Sequence, residues 1–106
     1  MAIKRVWHGW TTLENADLYE QTLREHVAPS IAASNISGYQ GIELLRVADP
    51  VQGEVAFITI MTFNSLENVI AFQGDDYTRA HVPGVAQKVL KRWDEHAVHY
   101  EVRDVN

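Results

Sequence analysis

The 106-residue chain contains no cysteine. Disulfide scaffolds, thiolate nucleophiles and cysteine-ligated zinc or iron–sulfur centres are therefore outside its chemistry. It has no apolar stretch approaching the length needed to span a bilayer. Its opening, Met1-Ala2-Ile3-Lys4-Arg5, runs into a strand pattern rather than an apolar signal core, so the expected location is the cytoplasm, with no membrane partner. A basic cluster is missing too. Nine Lys and Arg stand against fourteen Asp and Glu, a net charge of −5. Nucleic-acid backbones require concentrated positive charge, so no nucleic-acid partner is expected. Glycine-rich phosphate loops, a Ser–His–Asp signature and a nucleotide fingerprint are likewise absent.

What is present suits one globular domain spanning 1–106. Apolar residues make up 46% and charged residues 22%, enough to bury a core without the composition of a disordered or membrane chain. Ile3 to Trp10 alternates like a strand, with Lys4, Val6, His8 and Trp10 on one face and Ile3, Arg5 and Trp7 on the other. Thr11-Thr12-Leu13-Glu14, or Asn15 alone, can cap a helix. Tyr19, Leu23, Val27 and Ile31 repeat every four residues along it. Pro29 should end or kink that helix late, and Ser34 to Gly38 reads as a loop.

Gly41 to Val47 and Glu54 to Phe63 are two strands close enough to form a hairpin. Ser65 caps a second helix that Gly74 stops. Asp75-Asp76 can cap a further turn through Tyr77 to His81. A helix is expected to resume after Pro83 with Val85, Val89, Leu90 and Trp93 on one stripe. Ala97 to Arg103 supplies the last strand. The order is strand, helix, strand, strand, helix, strand: an α+β, ferredoxin-like βαββαβ domain with a four-stranded antiparallel sheet. Two helices cover one face of such a sheet. The other face is apolar on the central strand, which predicts a homodimer through that face.

Five histidines offer groups that exchange protons near neutral pH. His8 shares its face with Val6 and Trp10. His26 falls seven residues after Tyr19 and is expected to point at the sheet. His96 and His99 lie at and in the last strand, where His99 shares with Glu101 and Arg103 a polar face expected at the surface or interface. The histidine spacing forms no metal-binding set, and Asp75-Asp76 is more simply a helix cap, so no metal is expected.

Several local features, in order, resemble the antibiotic biosynthesis monooxygenase family of dimeric α+β barrels. They are Gly38-Tyr39-Gln40-Gly41 before the second strand, the strand Phe57-Ile58-Thr59-Ile60-Met61-Thr62-Phe63, Ser65-Leu66-Glu67 opening the next helix, and Asp76-Tyr77-Thr78-Arg79-Ala80-His81. The resemblance implies two sheets packed back to back and a pocket in each subunit between sheet and helices. His81 matches the histidine that ligates iron in the haem-degrading branch, and His8 lies where that branch places a polar pocket residue. The tryptophan that branch carries ahead of its histidine is replaced here by Val69-Ile70-Ala71-Phe72-Gln73.

From this resemblance the expected function is a cofactor-independent monooxygenase acting on a small aromatic or quinol-type substrate. His8 or His81 would be the base; Trp10, His26, Phe72, Tyr77 and Tyr100 would line the pocket. Two alternatives stay open at this point: a non-catalytic dimer that binds a small hydrophobic ligand or regulates a partner, and a haem-binding or haem-degrading protein. One-base isomerisation or decarboxylation of a small ring compound is also compatible.

Overall fold

The computed structural model describes residues 1–104; the last two positions of the expected domain lie outside the described residues. β1 (Ile3–Thr12) is the central strand. A helical segment follows in three parts: α1 (Ala16–Thr22), a π-helical turn (Leu23–Val27) and α2 (Ala28–Ala33). Then come β2 (Tyr39–Arg46), β3 (Glu54–Phe63), α3 (Leu66–Gln73), the single turn α4 (Gly84–Gln87), β4 (Arg92–Trp93) and β5 (Val98–Glu101). The antiparallel sheet runs β2-β3-β1-β4, and β5 also pairs with β1, beyond β4 on the same edge. The last strand expected from Ala97 to Arg103 is β5, and β4 is an additional two-residue strand where the sequence predicts a helix. Among the described residues no helix is long and apolar enough to cross a membrane.

The buried stripe of the first helix is the expected one: Tyr19, Leu23, Val27 and Ile31 are all nearly inaccessible. A regular α-helix turns about 100° per residue, so a four-residue repeat drifts by about 40° per step. The wider π turn at Leu23–Val27 takes up that drift and keeps all four residues on the sheet. His26 consequently stays exposed on the outer side, contrary to the expectation that it would point inward. Pro29 neither ends nor breaks the segment. It sits at the start of α2, just after the π turn, where the regular ladder is already interrupted.

The second helix begins and ends as expected. Ser65 accepts the Asn68 amide at 3.4 Å, and Gly74, at φ 92°, closes it. Beyond Gly74 two expected helices give way to other pairings. The turn expected after Asp76 closes once, the Arg79 amide donating to the Asp76 carbonyl at 3.1 Å, but it does not continue to His81, because that backbone is used elsewhere: the Ala80 amide donates to the Glu95 carbonyl at 2.8 Å, and the Ala97 amide to Thr78 at 2.6 Å. The helix after Pro83 stops at Gln87 because the free edge of β1 captures the chain. The Lys91 amide donates to the Trp10 carbonyl at 2.7 Å, the Asp94 amide to His8 at 3.0 Å, and the Thr11 hydroxyl to the Val89 carbonyl at 2.5 Å. Trp93 therefore lies in β4 and not on a helical stripe.

The most consequential difference concerns the faces of β1. Ile3, Arg5, Trp7, Gly9 and Thr11 are buried beneath the helices, while Lys4, Val6, His8, Trp10 and Thr12 are only half-buried on the opposite side. Antiparallel register fixes this arrangement. Arg5 pairs with Met61, Trp7 with Thr59 and Gly9 with Phe57. The Val55, Phe57, Thr59, Met61 and Phe63 face of β3 is the one the helices cover, Tyr19 meeting Phe57 at 4.8 Å between ring centres. The open face carries Val6, His8 and Trp10 with Ile58 and Ile60 of β3, and further out Leu45, Val98 and Tyr100, the last three about half exposed.

Candidate functional site

A cleft lies between the sheet and the helices. Its floor is Arg5 and Trp7 of β1 with Thr59 and Met61 of β3. Its roof is Tyr19, Leu23, Val27 and Ile31, and its rim is His81, Val82 and Pro83. The π turn thus contributes two residues of the roof. Free space for water-sized molecules is about 30 Å³, room for a water or two, within about 480 Å³ of void once the open mouth is counted.

Arg5 is the unexpected centre of this site. It is only 3% exposed, yet among the described residues no carboxylate lies within ion-pair distance of it. Its acceptors are neutral. Nη1 donates to the Tyr77 carbonyl at 2.5 Å and to His99 Nε2 at 3.0 Å, and Nη2 donates to the Arg79 carbonyl at 2.6 Å. Burial draws its pKa down to about 10, which still leaves it charged at neutral pH. The guanidinium carbon lies 5.7 Å from the centre of the Phe72 ring, within cation–π range.

Around this cation the loop from Tyr77 to His81 arranges its rings. His81 stands edge-on to Phe72 at 5.1 Å, and Tyr77 edge-on to His99 at 5.3 Å. His81 reaches solvent at the rim on one side and rests on Phe72 on the other. Its pKa falls below 6.5, first because burial disfavours the imidazolium and second because of the Arg5 charge. The same two causes, in the same order, lower His99. A guanidinium cannot accept, so neutral His99 must carry its proton on Nδ1 and present Nε2 to Arg5. The Tyr19 hydroxyl has its pKa pushed up to about 12 by burial and remains protonated.

The chemistry available is a neutral imidazole at the mouth of an apolar, aromatic-walled cleft, a buried cation behind it, and a phenolic donor in the roof. Among the described residues no three acidic or histidine side chains converge to hold a metal ion.

Two solved structures share this architecture over almost their whole lengths. Rv0793 from Mycobacterium tuberculosis superposes with a TM-score of 0.61 at 12% identity, covering 99% of this chain and 98% of that one. A Chloroflexus aurantiacus protein provisionally assigned as an antibiotic biosynthesis monooxygenase superposes at 0.50 with 15% identity, covering 100% of this chain and 95% of that one. The fold is antibiotic biosynthesis monooxygenase-like. At these identities the likeness is one of architecture. No family model matches the chain, and no curated protein matches it in sequence.

On this monooxygenase-like fold the residues singled out from the sequence lie in three places. His81, Phe72 and Tyr77 come together around Arg5, but of the three only His81 lines the cleft. His8, Trp10 and Tyr100 lie on the opposite side of the sheet, where His8 stacks on Trp10 at 6.1 Å and Arg92 covers that indole at 3.8 Å. His26 is on the outer surface of the helix. The alternation of β1 is as expected but its polarity is reversed, so the cleft receives Arg5 and Trp7 in place of His8 and Trp10. His99, expected at a polar surface or interface, also turns toward the cleft side with Arg5.

Sequence reasoning passed over Arg5, Trp7 and Tyr19 as site residues. The signal for the first two was Gly9. A Cβ there would stand 2.6 Å from Trp7 Cη2, so the glycine makes room for an indole on the packed face.

Proposed function

We propose that the protein is a cofactor-independent monooxygenase acting on a small aromatic or quinol-type substrate in the cleft between sheet and helices, with His81 as the base. The observation that carries this reading is a histidine kept neutral by its surroundings at the mouth of an apolar cleft, next to a buried cation. Neutral imidazole takes the phenolic proton of the substrate. The resulting anion passes an electron to O2. One oxygen atom ends as a ring carbonyl and the other as water, the substrate supplying all the electrons and the two hydrogens of that water. Trp7 and Tyr19, the aromatic residues that line the cleft, flank the ring, and the aliphatic roof keeps water from the reactive intermediate.

With space for only a water or two, the cleft must widen to admit a ring. The rim from His81 to Pro83, which belongs to no helix or strand, is the part that yields. Phe72 occupies one side of His81, which supports a reading without haem. His8 has no part in this mechanism. The reading includes a homodimer in which the open faces of two sheets, with Leu45, Val98 and Tyr100, cover each other.

Oxygen uptake with a panel of anthrones and quinols tests the activity. Uptake that exceeds the uncatalysed rate and falls by about 100-fold or more in His81→Ala is expected for loss of a general base. Uptake indifferent to the protein across the panel rejects the proposal.

A further inference from the structure

We infer that Arg5 is an anion-binding residue: its unused N–H groups hold the anionic oxygen, carboxylate or phenolate, of a flat apolar ring lodged in the cleft. The inference deepens the function proposed above, because it names the ionic form in which the ring is held.

The donor count motivates it. A guanidinium carries five N–H groups. Both on Nη1 are used, by the Tyr77 carbonyl and His99, and one on Nη2 is used by the Arg79 carbonyl. The Nε N–H and the second Nη2 N–H have no partner among the described residues, while the side chain is 3% exposed and lines the cleft. Those two groups can lie parallel on one edge of the guanidinium, the fork that receives carboxylate oxygens in bidentate pairs.

Charge gives a second, independent reason. A buried cation is normally neutralised by a carboxylate, and none of the fourteen acidic residues lies within ion-pair distance of it. Its neighbours His81 and His99 are held toward the neutral form by burial and by Arg5 itself, so they leave the positive charge uncompensated. Fastening the Tyr77 to His81 loop through two carbonyls, together with the bond to His99, explains three of the donors. It explains neither the two left over nor the missing counter-charge. Walls of Trp7, Met61, Val27 and Ile31 then limit the remainder of the ligand to something apolar, and the pinched space favours a flat one.

The test needs neither O2 nor turnover, so it stands or fails separately from the oxygenase reading. Benzoate and benzamide share a shape and differ in charge. Their dissociation constants for the intact protein, measured by calorimetry or by quenching of tryptophan fluorescence, should differ by about tenfold or more in favour of benzoate, as for a hydrogen bond to a charged group. In a second arm, 4-nitrophenol reports its own ionisation by visible absorbance. Protein should raise the phenolate fraction at a pH where the free phenol is mostly protonated. Preference for benzoate alone assigns the site to carboxylates, and a response in both arms assigns it to anionic ring oxygens generally.

Arg5→Gln should abolish the discrimination while Arg5→Lys retains part of it. Should Arg5→Gln not fold, the wild-type comparison and Arg5→Lys still decide. Equal binding of benzoate and benzamide, or no binding of either anion up to millimolar concentration, overturns the inference.

Discussion

Arg5 faces the helices for the same reason that Trp7 does: strict alternation on a strand whose partner places Met61 and Thr59 opposite them. Removing the guanidinium orphans the Tyr77 and Arg79 carbonyls that it satisfies, so Arg5→Gln is predicted to cost about 1–3 kcal/mol in urea unfolding. The histidines beside it predict a pH dependence. The folded-state pKa values of His81 and His99 lie below the ordinary 6.5, so the unfolded chain binds more protons in that range. Their contribution is complete above 6.5 and is lost as pH falls through it toward the folded values. The melting temperature should therefore drop on acidification from pH 7 into that window, and drop less in a His81→Gln/His99→Gln variant. The groups packed against them, Arg5, Phe72 and Tyr77, include no carboxylate that would reverse the sign. Gly9 offers the opposite kind of test. Its substitution by Ala drives a methyl into Trp7 and Leu90, and a loss of about 1–3 kcal/mol in the same unfolding assay is expected for such overpacking.

Among the elements, α3 was readable because its signals are local. Ser65 caps it, Gly74 closes it, and Ser65→Ala should cost about 1 kcal/mol by chemical denaturation. The buried row of Tyr19, Leu23, Val27 and Ile31 was legible for the same reason, though the π turn that keeps it straight was not: a four-residue repeat is compatible with either helix. The segments after Gly74 were misread because their determinants are distant. Arg5 takes carbonyls that a helical turn would have needed, and the edge of β1 takes amides from residues 91 and 94. The faces of β1 failed on a different point. Alternation separates two faces but does not say which one the helices cover, and a lysine with a histidine on one side against an arginine on the other does not decide between them. His81, Phe72 and Tyr77 stand out together in the sequence because they share one stretch of chain. Arg5 was missed because its 72-residue separation from Tyr77 leaves no trace in local pattern.

For the whole molecule, the antibiotic biosynthesis monooxygenase-like fold leaves one side of the sheet uncovered, with Leu45 at 45%, Val98 at 53% and Tyr100 at 55% exposure. Sedimentation equilibrium is predicted to give twice the 12.0 kDa chain mass. Ile58→Glu, a charge placed beside Leu45 and His8, should shift the protein to monomer with its circular dichroism unchanged; a dimer indifferent to that substitution would place the interface elsewhere. On the proposed reading the two sides of the sheet carry different duties, assembly on the side of His8 and chemistry on the side of His81. The most direct test compares O2 uptake, on whichever quinol or anthrone the wild-type protein oxidises fastest, between His81→Ala and His8→Ala. Loss of about 100-fold or more in His81→Ala with His8→Ala close to wild type is the predicted result. Loss in His8→Ala with His81→Ala active would contradict it.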